Sequence, residues 1–197
     1  MSESLVLTIA GEARTGKSTT SRRIAESNPF PIVRHSALIE FYAKANKLPL
    51  SRQDRSTYDN AYLALDREDP HHLTDIVFEL TLNKHYPLVI IDGLRVYRDA
   101  RLFKDALGDR YLTAALTAPD AVRNARDNAE RAKHGLGPLP TEDFLAGEAA
   151  NALADYDMAD VIGMHDISSS PIDTSVFDSE NALAAHVWQL VRPHLTL

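Results

Sequence analysis

A chain of 197 residues, 44% hydrophobic and 25% charged, has room for one domain with a central sheet and flanking helices. Its net charge of -7 spreads an acidic surface that repels phosphate backbones, which argues against non-specific nucleic-acid binding but leaves room for a local basic pocket for one phosphorylated ligand. The absence of cysteine excludes disulfides and thiolate zinc sites and agrees with a reducing compartment. No apolar run approaches the roughly 20 residues of a membrane helix, and the first one, residues 5–10, leads into a glycine loop instead of a signal-peptide cleavage site. A cytoplasmic protein without a membrane partner is expected.

In chain order, residues 5–10 are short, apolar and rich in β-branched side chains, the pattern of a buried strand. After the glycine loop a helix is expected over 17–27, broken by Pro29 and Pro31. Ile32 and Val33 predict a short second strand. Residues 36–46 predict a helix with Leu38, Ile39 and Tyr42 on one side. The mixed, polar stretch 48–69 holds a further helix over 55–65. Asp69 before Pro70 marks a helix start, a cap followed by proline at the first helical position. That helix carries Leu73, Ile76, Val77 and Leu80 on one face and ends near Tyr86 and Pro87. Residues 88–92 read as a buried strand ending in a carboxylate, and 111–117 as another. Pro119 opens a polar helix to about Lys133, 135–140 is a flexible loop, and Thr141 caps a helix over 141–153. Residues 160–164 are expected to be the last strand, 168–171 a loop and 181–192 a terminal amphipathic helix.

Strands alternating with helices imply a parallel sheet covered on both faces, with ligands at the carboxyl ends of the strands. Gly11 and Asp92 both fall at such ends. Gly11, Gly16, Lys17 and Ser18 occupy every fixed position of the pattern G-x-x-x-x-G-K-[ST]. The glycines let the backbone turn its N–H groups inward toward phosphate oxygens. Lys17 is placed to reach the β- and γ-phosphates, and the Ser18 hydroxyl to hold Mg²⁺. The helix that follows points its positive end at the same anion. ATP with Mg²⁺ is the expected cofactor, held by Gly11, Arg14, Thr15, Gly16, Lys17, Ser18 and Thr19. Asp92, ending the strand 88–92, is expected to orient the metal together with Ser18.

The run from Asp92 to Arg95, about 75 residues after Lys17, resembles the nucleotide and nucleoside kinase branch of P-loop proteins, in which adenylate kinase, dephospho-CoA kinase and deoxynucleoside monophosphate kinases belong. The resemblance implies that Arg95 binds a phosphate of the acceptor. Arg123, Arg126 and Arg131 look like the arginine-bearing lid that closes on the transferring phosphoryl group, whose spread charge suits guanidinium forks. Arg123 and Arg126 are the stronger candidates, while the same helix also permits ordinary charge pairs such as Asp127 with Arg131 at i,i+4. Ala159, Asp160, Val161 and Ile162 resemble the late strand whose following loop approaches the adenine. The implied architecture is a three-layer α/β/α P-loop NTPase fold with a parallel five-stranded sheet. It forms a single domain over 1–197, with an acceptor-side helical insert at about 36–68 and a lid at about 119–140.

The acceptor side departs from the branch. Where related kinases carry Asp and Arg at the start of the helix after strand two, this chain has Ala37 and Glu40. Glu40 then suits a proton-accepting role or the holding of a sugar or base, or is a solvated helix glutamate. Arg52 and Arg55 in the insert supply candidate positive charge, with Asp54 a possible helix cap. Arg34 and His35 end strand two on the same side of the sheet. His71 and His72 are adjacent, without the i,i+4 spacing of a metal site. The leading expectation is an ATP-dependent phosphotransferase with Lys17, Asp92, Arg123 and Arg126 as catalytic residues and a small nucleotide-like acceptor held by Arg34, His35, Glu40, Arg52, Arg55 and Arg95. Two alternatives stand beside it: a P-loop kinase acting on a hydroxymethylated base in DNA, and a non-catalytic nucleotide switch. The guanine-reading pattern of switch GTPases is missing, since Asn83 and Lys84 are not followed by its aspartate.

Overall fold

Continuous burial along the central strands sets the architecture. The computed structural model describes residues 4–51, 56–82, 86–94, 96–150, 158–164 and 166–195. Strand β1 (Leu5–Gly11) leads through the glycine loop into α1 (Lys17–Ser27), and β2 (Ile32–Arg34) runs directly into α2 (His35–Ala45). Helices α3 (Ser56–Glu68) and α4 (His72–Leu82) precede β3 (Leu88–Asp92). Then come α5 (Tyr97–Leu107), β4 (Tyr111–Thr117), α6 (Asp120–Lys133), α7 (Thr141–Ala150), α8 (Met158–Gly163), β5 (Ile172–Asp173) and α9 (Glu180–Val191). The strands form one parallel sheet in the order β2-β3-β1-β4-β5.

Successive strand side chains point to opposite faces. Leu5, Leu7 and Ile9 of β1 join Leu88 and Ile90 of β3 on one face, covered by Ile24 of α1 and by Leu183, Val187 and Val191 of α9. Val6, Ala10, Val89 and Ile91 face the other way, under Leu73 and Val77 of α4, Phe103 and Leu107 of α5, and Val161 of α8. The sheet is thus the middle of three layers, and central strands buried on both faces read as continuous apolar runs. A third, smaller cluster joins Ile39 and Ala43 of α2 to Ala61, Tyr62 and Leu65 of α3.

Two sequence expectations need correction, and one helix has to be added. Residues 160–164 are not a strand: α8 covers 160–163, and Val161 and Met164, just past its end, both pack onto the sheet. The fifth strand is the two-residue β5, where Ile172 pairs with Leu116. Helix α5 was not among the expectations. Thr141 is the first residue of α7, where the Phe144 N–H already bonds the Pro140 carbonyl, so it is not the cap. Asp69 does stabilise the approach to α4, its side chain accepting from the His71 N–H at 3.2 Å. Among the described residues no helix is long and apolar enough to cross a membrane.

Tyr111 is fully buried, and its hydroxyl donates to Thr8 Oγ1 at 3.0 Å. Burial pushes its pKa up to about 12, against smaller opposing hydrogen bonds. The folded form therefore keeps a proton that the unfolded chain loses above its ordinary value of 10.0. Stability is expected to be unaffected below that value and to fall by roughly 1 kcal/mol per pH unit between it and the folded pKa. Denaturant titrations across this alkaline range should show the slope in the wild type and its loss in Tyr111→Phe.

Candidate active site

The sheet order puts the ends of β1 and β3 side by side, with Ile9 opposite Asp92 and the Gly93 N–H bonded to the Ile9 carbonyl at 3.3 Å. The loop after β1 and the carboxylate ending β3 therefore meet. Ser18 Oγ donates to Asp92 Oδ1 at 3.1 Å, and Arg34 Nε, ending β2, donates to Asp92 Oδ2 at 3.2 Å. Asp92 is only 2% exposed, so both carboxylate oxygens are spoken for at the cleft floor.

The loop has the shape its glycines require. Gly16 takes the left-handed conformation before α1, and the Thr20 N–H closes the first turn on the Gly16 carbonyl at 2.9 Å. A Cβ on Gly11 would lie 2.3 Å from the Leu116 carbonyl oxygen. The Thr15 hydroxyl and the Lys17 ammonium both donate to the Glu12 carbonyl, at 2.8 and 2.6 Å, folding the loop onto itself. Thr15 is thereby turned inward and buried, and Thr19 lies in the first turn of α1, outside the cleft lining.

Above the loop opens a cleft of about 1050 Å³. That exceeds the volume of one drug-sized ligand and leaves space for a donor and an acceptor together. One wall holds Arg14, Lys17, Ser18 and Asp92. The β2–α3 side contributes Arg34, His35, Ser36, Ser51, Tyr58 and Asp59. The third wall, from α6 and α7 and the loop between them, contributes Asp127, Glu130, Arg131, Phe144 and Glu148.

Several sequence candidates converge here and others do not. Arg14, Lys17, Ser18, Arg34, His35, Arg131 and Asp92 line the cleft. Glu40 does not: it is exposed on α2, and its carboxylate accepts from the Tyr58 hydroxyl at 3.0 Å. Arg52, Arg55, Arg95 and the proposed cap Asp54 lie outside the described residues, as do Asn83 and Lys84. Arg123 is 2% exposed and sits behind the loop. It donates to Asp120 at 2.7 Å and to Glu148, lies 3.5 Å from Glu12, reaches the Ala13 carbonyl at 3.4 Å, and stacks over the Phe144 ring. Burial works against its charge, and the bonds to Asp120 and Glu148 outweigh that, so its pKa moves up. Arg126 donates to the Arg14 carbonyl at 3.0 Å and to Thr174 Oγ1 at 2.8 Å. The segment after β5 is thus the one that approaches the loop and α6. Asp127 does not pair with Arg131; it pairs with Arg14 at 2.7 Å, while Arg131 bonds the Gly137 carbonyl.

Tyr58, Asp59 and Glu148 were not singled out from the sequence, and Asp127 only as a charge partner of Arg131. Their presence in the cleft follows from how α3, α6 and α7 close over the sheet edge, which no local pattern encodes. Arg123→Met, which keeps an apolar stem against Phe144, is expected to cost about 2 kcal/mol, because three carboxylates lose a cation while staying partly solvated. Urea denaturation measures it.

The donor set fits a magnesium nucleotide. Ser18 and Asp92 offer hard oxygen ligands of the kind Mg²⁺ takes. The cradle at Gly11 has no space for a side chain.

No family model matches the chain, and a comparison with curated proteins finds no match. Solved structures do match. Shikimate kinase from Acinetobacter baumannii aligns with a TM-score of 0.56 at 15% identity, over 100% of this chain and 97% of its own. TT1252 from Thermus thermophilus aligns with a TM-score of 0.56 at 17% identity, covering 96% and 98% of the two chains. The tunicamycin resistance protein of Deinococcus radiodurans aligns with a TM-score of 0.51 at 16% identity, over 95% of each. This breadth does not single out the nucleotide-kinase branch. The chain has a P-loop kinase-like fold, with a loop of the phosphate-binding pattern at the carboxyl edge of its sheet.

Proposed function

We propose that the chain transfers the γ-phosphate of Mg·ATP to an oxygen of a small nucleotide- or sugar-like acceptor. The observation that carries this is the Ser18–Asp92 pair, 3.1 Å apart at the mouth of the phosphate loop. Chance loop motifs do not come with a buried strand-end carboxylate in hydrogen-bond reach of their serine.

Ser18 and Asp92 would hold Mg²⁺, which would offset the charge of the donor's phosphates. The inward N–H groups of residues 11–18 hold the phosphates, and the Lys17 ammonium leaves the Glu12 carbonyl for their oxygens. Asp92 Oδ2, oriented by Arg34, faces the acceptor side and accepts the proton of an acceptor hydroxyl. Ser36, Ser51, Tyr58 and Asp59 surround the acceptor with hydroxyl and carboxylate groups suited to a polyhydroxylated molecule. Arg123 and Arg126 act at one remove, by fixing the carbonyls of Ala13 and Arg14. The α6–α7 region, residues 119–140 within it, serves as the lid, and residues 36–68 cover the acceptor.

ADP release measured over a panel of nucleosides, nucleotides, sugars and CoA precursors tests the reading. Release well above a Lys17→Ala background with at least one acceptor is expected. None above that background with any of them would remove it.

A further inference from the structure

Arg14 lies in the left-handed region at φ 64, a conformation shared among the described non-glycine residues only with Lys47. A side chain with a Cβ is disfavoured there, and glycine would take the same turn freely. The loop's course therefore does not explain an arginine at this place. Strain of this kind persists where neighbours over-determine the backbone, and α6 does so. Arg126 bonds the Arg14 carbonyl at 3.0 Å and Arg123 reaches the Ala13 carbonyl at 3.4 Å.

The side chain crosses the cleft. Nε and Nη2 both lie 2.7 Å from Asp127 Oδ1 on α6. The Arg14 side chain is 39% exposed and that of Asp127 15%, and both line the cleft beside Lys17 and Ser18. A guanidinium gripping a single carboxylate oxygen leaves its fork unmatched. A phosphate group presents the paired oxygens that the fork fits and carries more charge.

We infer that Asp127 is a resident counter-ion for Arg14, which the donor's polyphosphate displaces. On nucleotide entry the guanidinium exchanges the carboxylate for phosphate oxygens. One tie between α6 and the loop is released, and Asp127 turns to Arg131, four residues on along the same helix. Nucleotide occupancy is thereby communicated to the lid. The inference rests on the nucleotide-binding reading above and adds to it an acidic competitor built into the lid.

The test is a double-mutant cycle read by calorimetry with a non-hydrolysable ATP analogue and Mg²⁺, using wild type, Asp127→Asn, Arg14→Gly and the double variant. Glycine is chosen because it accepts the left-handed turn, so the melting temperature reports that the loop survives. Removing the competitor should tighten binding by about threefold to tenfold, and Arg14→Gly should weaken it by about tenfold or more. In the Arg14→Gly background Asp127→Asn should change nothing, since the guanidinium it competes for is gone. Arg14→Lys should restore only part of the affinity, because an ammonium lacks the fork. An Asp127→Asn variant that binds no tighter than wild type, or that gains equally with and without Arg14, overturns the exchange while leaving the nucleotide site standing. Wild-type protein that takes up no nucleotide removes both.

Discussion

Alanine at position 17 is expected to cut phosphoryl transfer by about two to three orders of magnitude, the scale on which a single pre-organised charge at a transition state acts, while the fold survives. The two halves have separate causes. In the free protein Lys17 Nζ donates to the Glu12 carbonyl at 2.6 Å, at the surface of the loop. Hydrogen bonds of that kind contribute about 1 kcal/mol, so the melting temperature should move by only a few degrees. Under the proposed transfer the ammonium would leave that carbonyl for the β- and γ-phosphates, where charge accumulates on the leaving oxygen. Coupled ADP release with the best acceptor from the panel measures the first effect, and thermal unfolding the second. Calorimetry adds a third reading. If Lys17 acts chiefly on the transferring group, nucleotide affinity should fall much less than turnover, because most ground-state contacts come from the main-chain amides. A variant with undiminished turnover would mean that the phosphates sit elsewhere in the cleft.

The charge arrangement explains why this lysine should matter so much. The cleft is lined by Asp59, Asp92, Asp127, Glu130 and Glu148 as well as by Arg14, Lys17, Arg34 and Arg131. Arg14 is neutralised by Asp127 and Arg34 by Asp92. Two of these four cations, Arg14 and Arg34, are thus held in ion pairs, while Lys17 and Arg131 bond the backbone carbonyls of Glu12 and Gly137. Polyphosphate uptake then depends on the groups that can turn toward it, and these cluster at the loop.

Much of this was legible in the sequence, and the limits have physical reasons. Strands β1, β3 and β4 are buried on both faces, so Leu88 to Asp92 and Tyr111 to Thr117 stand out as apolar runs with correct ends. Edge strand β5 offers only Ile172 as an apolar residue, too little to detect, while Val161 and Ile162 look like a strand because a short apolar run carries no readable period. Helix α5 does carry a signal: Ala100, Phe103 and Leu107 recur at helical spacing and all are buried. In the site, Lys17, Ser18 and Asp92 are fixed by the rule that parallel strands deliver their ends to one edge. Asp127 and Tyr58 owe their positions to helices folded across that edge, and Arg123 reads from the sequence as a lid arginine because two of its three carboxylate partners, Glu12 and Glu148, are 111 and 25 residues away in the chain.

Gly11→Ala should be the most destabilising single-methyl change in the loop, costing at least about 3 kcal/mol. Two penalties coincide at this position. Its φ of 145 is one that side chains rarely adopt, and a Cβ would stand 2.3 Å from the Leu116 carbonyl oxygen and 2.8 Å from Thr15 Oγ1. Leu116 is the direct partner of Gly11 in the β1–β4 pairing, so its carbonyl can retreat only by parting the two central strands. Gly93→Ala separates the two penalties. It has a φ of 81, with no atom within 4 Å of the would-be Cβ, and so should cost only the conformational term of about 1 kcal/mol. Urea denaturation followed through Trp188, which lies on α9 and packs against the core face and the Phe30 ring, reads both variants on one probe. Equal losses for the two alanines would show that the loop stands further from β4 than its backbone course requires. A difference of about 2 kcal/mol or more would measure the close approach that brings the phosphate loop down onto the sheet edge, next to Asp92.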